Sequence, residues 1–326
     1  MKRILITGGA GFIGSNFVRH LLSSRDDVKI TVLDALTYAG NINNFPDDWE
    51  NLPSFTFVQG SVCDQSLVNR LIGEHDVIIH FAAESHVAFS LEMMPTFVQT
   101  NIVGTQVLCE ATLRASNVER FIHISSSESY GSAVTDPMTE EHPLLPCNPY
   151  AGTKAAADRL VYSYYGTYGL PMIIVRPFNN YGPYQYLEKV IPLFITNLFE
   201  GRPIEIQDGG EQTRDWLSVF DHARALERMI DADINLLRGE TINLGTGRDV
   251  SINRLAELLK EIIGKPQHPM VTNTCRVGQV RRHISSTDKA ERLLGWKATT
   301  PFEAGLETTV RWYRDNKSWW NNYPRR

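Results

Sequence analysis

Thr7-Gly8-Gly9-Ala10-Gly11-Phe12-Ile13-Gly14 follows a short apolar run and leads into a stretch of helical periodicity at residues 15–23. A strand that ends in a glycine-rich turn and passes directly into a helix is the opening of a doubly wound α/β sheet. Each glycine has its own reason. Gly8 permits the tight turn, Gly11 lets backbone approach a pyrophosphate, and Gly14 allows close helix packing. The helix amino terminus adds free N–H groups and a partial positive charge. Asp34 closes a second strand-like run 20 residues after Gly14, where a carboxylate can bond an adenosine ribose diol and repel a 2′-phosphate. The pattern predicts NAD as cofactor and disfavours NADP.

Outward from this turn, apolar runs at residues 4–7, 31–34, 55–60, 77–81, 121–125 and 172–176 alternate with longer helical stretches. The runs are nearly continuous in apolar residues, as strands covered by helices on both faces must be. Residues 1–178 are therefore expected to form a Rossmann-type doubly wound parallel sheet. After Pro177 the texture changes to the turn-rich Asn179-Asn180-Tyr181-Gly182-Pro183-Tyr184, then a helical stretch at 189–200 and short strand-like pieces at 204–207 and 216–219. A smaller mixed α/β substrate-binding domain is expected over 179–214 and 245–326, with 215–244 returning to the first sheet. Helices are expected near 221–232, 252–263, 289–294 and 302–314.

The composition supports a folded enzyme-sized chain. Its 326 residues are 42% hydrophobic and 21% charged, enough for a sizeable core and two domains. A formal charge of -5 gives no overall reason to bind nucleic acid or an anionic membrane. Cys63, Cys109, Cys147 and Cys275 lie far apart, without the spacing of a metal site or a disulfide framework, so a reducing, cytoplasmic setting and no metal are expected. Met1-Lys2-Arg3 precedes an apolar run interrupted at once by Thr7-Gly8-Gly9, too short for a signal peptide or a membrane span.

The chemistry is expected downstream of the fifth strand. Ser126-Ser127-Glu128 follows it, and Tyr150 and Lys154 stand four apart on one face of a later helical stretch. A lysine ammonium near a phenol, together with a positive nicotinamide ring, lowers the phenol's pKa toward the range of a general base. In isolation that spacing is common in packed helices; following a dinucleotide fold it points to Tyr150 deprotonating a carbinol. Glu128 reads either as a catalytic carboxylate or as an acid capping a helix at a strand end.

These segments together resemble the extended short-chain dehydrogenases/reductases, and among them the nucleotide-sugar 4,6-dehydratases, over essentially the whole chain. The resemblance is carried by TGGAGFIG (7–14), DALTYAGN (34–41), HFAAESHV (80–87), NPYAGTKAAAD (148–158), NNYGPYQYLEKVIP (179–192) and RDWLSVFDHARAL (214–226). It implies a closed redox cycle on a nucleotide-diphosphate sugar. Tyr150 takes the 4-hydroxyl proton as hydride passes from C4 to NAD, Glu128 removes the C5 proton, water leaves from C6, and the hydride returns to C6. Ser126 would hold the 4-oxygen, with Lys154 also on the nicotinamide ribose. The resemblance further assigns Phe12, Ile13, Ser61, Val62, Ala82 and Ala83 to the cofactor. To the substrate it assigns Ser85, Asn179, Asn180, Lys189, Arg214, Asn243 and Arg281. For the two arginines, the charge of a diphosphate gives the physical motive.

One departure bears on the reaction. The dTDP-glucose members of the family read Thr-Asp-Glu where this chain has Ser126-Ser127-Glu128, so the acid that would protonate the departing hydroxyl is replaced by Ser127. UDP-glucuronate decarboxylation or 4-epimerisation after the same C4 oxidation therefore stands as the alternative, and a non-catalytic NAD-binding regulator as a third reading. Residues 97–113 and 150–165 carry more apolar and aromatic side chains than one packed helix face needs. In related enzymes two such helices per subunit build a four-helix homodimer interface, with core packing the other explanation.

Overall fold

The computed structural model describes residues 1–273 and 278–321; Cys275 lies outside the described residues. Twelve strands are present among them: β1 (Lys2–Thr7), β2 (Val28–Asp34), β3 (Phe55–Gln59), β4 (Val77–His80), β5 (Arg120–Ile124), β6 (Met172–Pro177), β7 (Asn179–Tyr181), β8 (Ile204–Gln207), β9 (Thr213–Ser218), β10 (Thr241–Leu244), β11 (Asp249–Ser251) and β12 (Met270–Asn273). Seven of them form one parallel sheet in the order β10-β6-β5-β4-β1-β2-β3. From β1 the chain proceeds to β2 on one side and later to β4 on the other. The order therefore reverses beside β1, and a cleft opens at the carboxyl ends of the strands, where ligands of such sheets bind.

Both faces of this sheet are dry, which explains the continuous apolar runs. Ile4, Ile6, Ile79, Ile122, Ile173 and Val175 face one core with Phe17, Leu226 and Met229. Their neighbours Leu5, Ile78, Phe121, Met172 and Ile174 face the other, with Val68, Leu108 and Val161. The period of two is present in space and hidden in the sequence, because both sets are hydrophobic. The helix Val219–Asp231 packs on Phe12–Ser24, and β10 extends the sheet beyond β6.

A separate core gathers Ile191, Phe194, Ile195, Leu255, Leu259, Leu306 and Tyr313 from the helices Val190–Glu200, Ile252–Ile263 and Phe302–Asp315. Two small sheets flank it, β11-β9-β7 and β12-β8. The expected strand at 216–219 is longer and earlier, Thr213–Ser218, and Ser218 turns it into the next helix by accepting from the Phe220 N–H. The strands β7, β11 and β12 were not legible. Three or four residues are too few to establish a period, and their pairing comes from partners distant in sequence.

The two parts are bound together through buried polar contacts. His222, in the Val219–Asp231 helix, is fully buried and bonds through Nδ1 to Asn180 Oδ1 at 2.9 Å. Burial pushes its pKa down to about 3, so it is neutral in the folded protein and donates from Nδ1. Between pH 6.5 and that value the unfolded chain takes up a proton that the folded chain refuses, so this group makes stability fall as pH falls. Urea titrations at pH 7 and pH 5 are expected to show the wild type losing about 2 kcal/mol more than His222→Gln. Equal losses would exclude His222 as the source.

Candidate active site

The glycine-rich turn sits where the sequence places it, between β1 and the helix Phe12–Ser24. Gly8 has φ +71°. A Cβ there would come within 2.5 Å of the Ala82 nitrogen, and one on Gly14 within 2.4 Å of the Gly8 oxygen. Neither position tolerates a side chain. A Cβ on Gly11 would meet protein no nearer than 3.4 Å. Its open side faces a cavity of about 530 Å³ that runs along the carboxyl edge of the sheet.

Cofactor residues expected from the sequence line this cavity together: Gly8, Gly11, Phe12, Ile13 and Gly14 from the turn after β1 and the start of its helix, Asp34 from the end of β2, then Ser61, Val62, Ala82 and Ala83 from beyond β3 and β4. Asp34 is buried, and its two oxygens accept from the N–H groups of Ala10 and Leu36 at 2.9 and 2.8 Å. Desolvation raises its pKa and these bonds oppose the rise. A cradle without room for side chains on Gly8 and Gly14, open over Gly11, with an acid at the second strand's end, fits NAD.

The reacting groups come from β5 and the helix Pro149–Tyr168. β5 ends in a single 3₁₀ turn, Ser127–Tyr130, capped by the Ser126 hydroxyl, which accepts from the Glu128 N–H. That turn brings Ser126, Ser127 and Glu128 to the cavity wall. Asn148 caps the next helix by accepting from the Ala151 N–H at 2.9 Å, and its Nδ2 donates to Glu128 Oε2 at 3.3 Å. One residue thus starts the helix that presents Tyr150 and Lys154 and steadies the carboxylate opposite.

The expectation that Lys154 lowers the Tyr150 pKa is not met in the protein by itself. Burial pushes the phenol up to about 12; a hydrogen bond with Ser126 pulls the other way, and the nearby Glu128 charge raises it further. Lys154 is buried, its Nζ donating to Ile124 O at 2.6 Å, and burial lowers it to about 8 against the attraction of Asp158. The charge of Lys154 is spent on the end of β5 and on Asp158, one helical turn away. Asp158 in turn accepts from Arg176 Nε at 2.8 Å and lies 3.5 Å from His123 Nε2.

Substrate candidates divide. Ser85, Asn179, Asn180, Lys189 and Arg214 line the same cavity. Lys189 Nζ donates to Ser85 O at 3.1 Å, and the buried Asn179 Oδ1 has no protein partner among the described residues. Asn243 and Arg281 are not on its wall. Asn243 is 0% exposed and is held by Tyr130, Glu140 and Met138. Arg281 is exposed; its backbone N–H donates to Ser132 Oγ at 2.9 Å and its carbonyl accepts from the Thr213 N–H at 3.0 Å.

Sequence reading missed Tyr38, Glu84, Glu188 and His283. The first three line the cavity, and Tyr38 donates to Glu188 Oε1 at 3.1 Å. Tyr38 and Glu84 were inside motifs quoted for other residues, and an acid in a loop looks solvated until its neighbours are known. His283 stands behind Ser127, with Nδ1 3.4 Å from its Oγ and Nε2 3.0 Å from the Gly131 carbonyl.

Among known proteins, the family described as GDP-mannose 4,6 dehydratase matches residues 5–309. A dTDP-glucose 4,6-dehydratase of Actinoplanes sp. is 42% identical over 323 residues, covering 98% of this chain and 99% of its own. The crystal structure of a dTDP-glucose 4,6-dehydratase from Streptomyces venezuelae with NAD and TYD bound superposes with a TM-score of 0.93 at 40% identity, covering 99% of this chain and all of its own (100%). A UDP-glucose 4-epimerase from Thermotoga maritima with UDP-glucose reaches a TM-score of 0.88 at 31% identity, covering 97% and 99%.

The glycine geometry is directly testable. Gly14→Ala is expected to weaken NAD binding, measured by calorimetry, at least ~10-fold, because its Cβ must displace the Gly8 carbonyl. Gly152→Ala, whose Cβ meets nothing within 4 Å in the Tyr150 helix, is expected to leave binding unchanged and to stabilise by about 0.5–1 kcal/mol.

Proposed function

The chain belongs to the GDP-mannose 4,6-dehydratase family and is an NAD-dependent nucleotide-sugar 4,6-dehydratase, and from that premise we propose how its own residues divide the reaction and that dTDP-glucose is the substrate. The relatives' named activity supports that choice of sugar nucleotide. Residues 1–178 with 215–244 would hold the cofactor, and 179–214 with 245–326 the sugar nucleotide. Ser85, Asn179, Lys189 and Arg214 are the polar groups offered to it, Arg214 meeting the diphosphate.

NAD, when bound, supplies the hydride acceptor and, in its oxidised form, the positive charge that the Tyr150 phenol lacks. The Gly8–Gly14 turn, Asp34 and Lys154 would hold it. Tyr150 receives the 4-hydroxyl proton, and Ser126, bonded to the phenol, holds the 4-oxygen. Once C4 is a ketone, the C5 proton is acidic and Glu128 takes it.

The departing 6-hydroxyl needs a proton, and Ser127 has none to relay. The imidazole behind it is buried and pushed down to about 4, chiefly by desolvation, so His283 is neutral at pH 7. Its Nε2–H faces the Gly131 carbonyl, which leaves Nδ1 as an acceptor for the Ser127 hydroxyl. Glu128 therefore performs both transfers: the proton taken from C5 is handed to the C6 hydroxyl, C5=C6 forms and water leaves. The observation that carries this reading is the neutral, inward-facing Ser127–His283 pair beside a carboxylate on the cavity wall.

A four-helix homodimer is also proposed, through the helices Gly104–Arg114 and Pro149–Tyr168. Its support is the exposure of Leu113, Tyr162 and Tyr168 on them at 37, 45 and 66%. Free thiols at Cys63, Cys109 and Cys147 support a reducing, cytoplasmic setting. Among the described residues no helix is long and apolar enough to cross a membrane.

Incubation with dTDP-glucose is expected to yield a 4-keto-6-deoxy product, detected by its alkali-induced absorbance. Release of carbon dioxide from UDP-glucuronate, or a C4 epimer by NMR, would replace this reading with the alternative. Glu128→Gln is expected to lower kcat by ~10³ or more and Ser127→Ala by less than ~10-fold, because only the first removes a proton-transfer group. Equal losses would return the acid's role to Ser127.

A further inference from the structure

The glycine-rich turn is held from a part of the chain that carries none of the cofactor residues. Ala10, between Gly8 and Gly11, is fully buried and has both backbone groups engaged. Its N–H donates to Asp34 Oδ2 at 2.9 Å, and its carbonyl accepts from Asn41 N at 3.0 Å and from Asn44 Nδ2 at 2.8 Å. Asn44 is 1% exposed, and its remaining side-chain atom, Oδ1, accepts from the indole N–H of Trp319 at 2.9 Å. Trp319 lies in the helix Lys317–Asn321, against Trp312 with ring centroids 5.0 Å apart.

A second strut runs in parallel. Arg19, in the helix that follows the turn, donates through Nε to the Asn44 carbonyl at 2.7 Å. Its guanidinium lies 4.7 Å from the centre of the Tyr184 ring. Tyr184, at φ +64°, packs in turn on Trp312 and Trp319 with ring centroids at 4.5 and 5.8 Å. Both struts meet at Asn44, and Asn44 fixes the carbonyl of the turn whose N–H groups would face the pyrophosphate.

We propose that Trp319, acting through Asn44, is a positioning residue for the cofactor turn and sets how long NAD stays bound. A dehydratase that must return its hydride to the same sugar needs the cofactor to outlast the cycle, and this chain of three bonds from indole to Asp34 restrains the turn in the shape that holds it. The proposal rests on the NAD reading above. Trp319→Phe keeps an aromatic ring against Trp312 and Tyr184 and removes the N–H donor, leaving a buried amide oxygen without that partner.

The test is the dissociation rate of NADH from the holoenzyme, followed by its fluorescence after mixing with excess NAD, for wild type, Trp319→Phe, Asn44→Ala and the double variant. A lost buried hydrogen bond corresponds to an increase of about 3- to 10-fold in that rate for Trp319→Phe. The double variant should be no faster than Asn44→Ala by itself, since one chain cannot be cut twice. The dissociation constant for thymidine diphosphate, which reports on the substrate side, should not move. A Trp319→Phe rate within ~1.5-fold of wild type would overturn the proposal, as would equal weakening of NADH and thymidine diphosphate, the mark of general loosening. Asn44→Ala may be dispensed with if it does not fold, because Trp319→Phe decides by itself. Wild type that holds no NADH would instead defeat the cofactor reading.

Discussion

The exit of β1 and the end of β4 approach so closely that Gly8 has no space for one more carbon atom. The rest of the site depends on this contact. It places the amino terminus of the Phe12–Ser24 helix over the reversal in strand order. It also brings the ends of β1, β2, β4, β5 and β6 to a common level, so that one cavity receives side chains from all of them. No individual bond imposes the arrangement. It follows from two backbones in near contact, a geometry that only glycine allows at that φ.

Behind the cavity the same strand ends carry a buried polar row. Thr7 Oγ1 lies 2.7 Å from His80 Nδ1, and His80 Nε2 lies 3.0 Å from Thr105 Oγ1. The His80 and His123 rings are 5.3 Å apart, and Asp158, Arg176, Tyr130 and Asn243 continue the line. Sheet register sets this out: Thr7 pairs with His80, His80 with His123, and Arg176 with Asn243. Desolvation dominates at the two histidines and keeps them neutral, while Asp158 stays ionised because His123 and Arg176 outweigh its burial. Lys154 sits at this boundary, which is why its charge is directed backward to Asp158 and Ile124 instead of forward to the phenol.

How much of this was legible follows from what each signal needs. The parallel sheet was readable because burial on both faces writes itself as unbroken apolar runs. The glycine turn and Asp34 were readable because their function fixes their spacing. Asn243 and Arg281 stand off the cavity wall for a different reason: a motif position gives the neighbourhood of a residue but not the direction of its side chain. The Asn243 side chain is held between the Tyr130 hydroxyl and the Met138 carbonyl and does not line the cavity. The Ser127–His283 pair was invisible because its partners are 156 positions apart and His283 belongs to no recognisable pattern. Of Tyr150, the sequence could supply the residue and its lysine, but the balance between desolvation and charge exists only once the helix is packed.

The chain leaves the large sheet after β6, contributes β7 and β9 to another, and comes back to lay β10 along the outer edge of β6. That return makes the last strand of the large sheet a late arrival, separated from β6 by more than sixty residues. A fragment ending at Pro177 would keep every glycine of the cofactor turn and Tyr150 yet bare the full hydrogen-bonding edge of β6, an invitation to pair with other chains. Recombining halves between relatives at that point would therefore produce aggregates sooner than hybrids, and exchange of parts in this architecture must respect the weave and not the linear order.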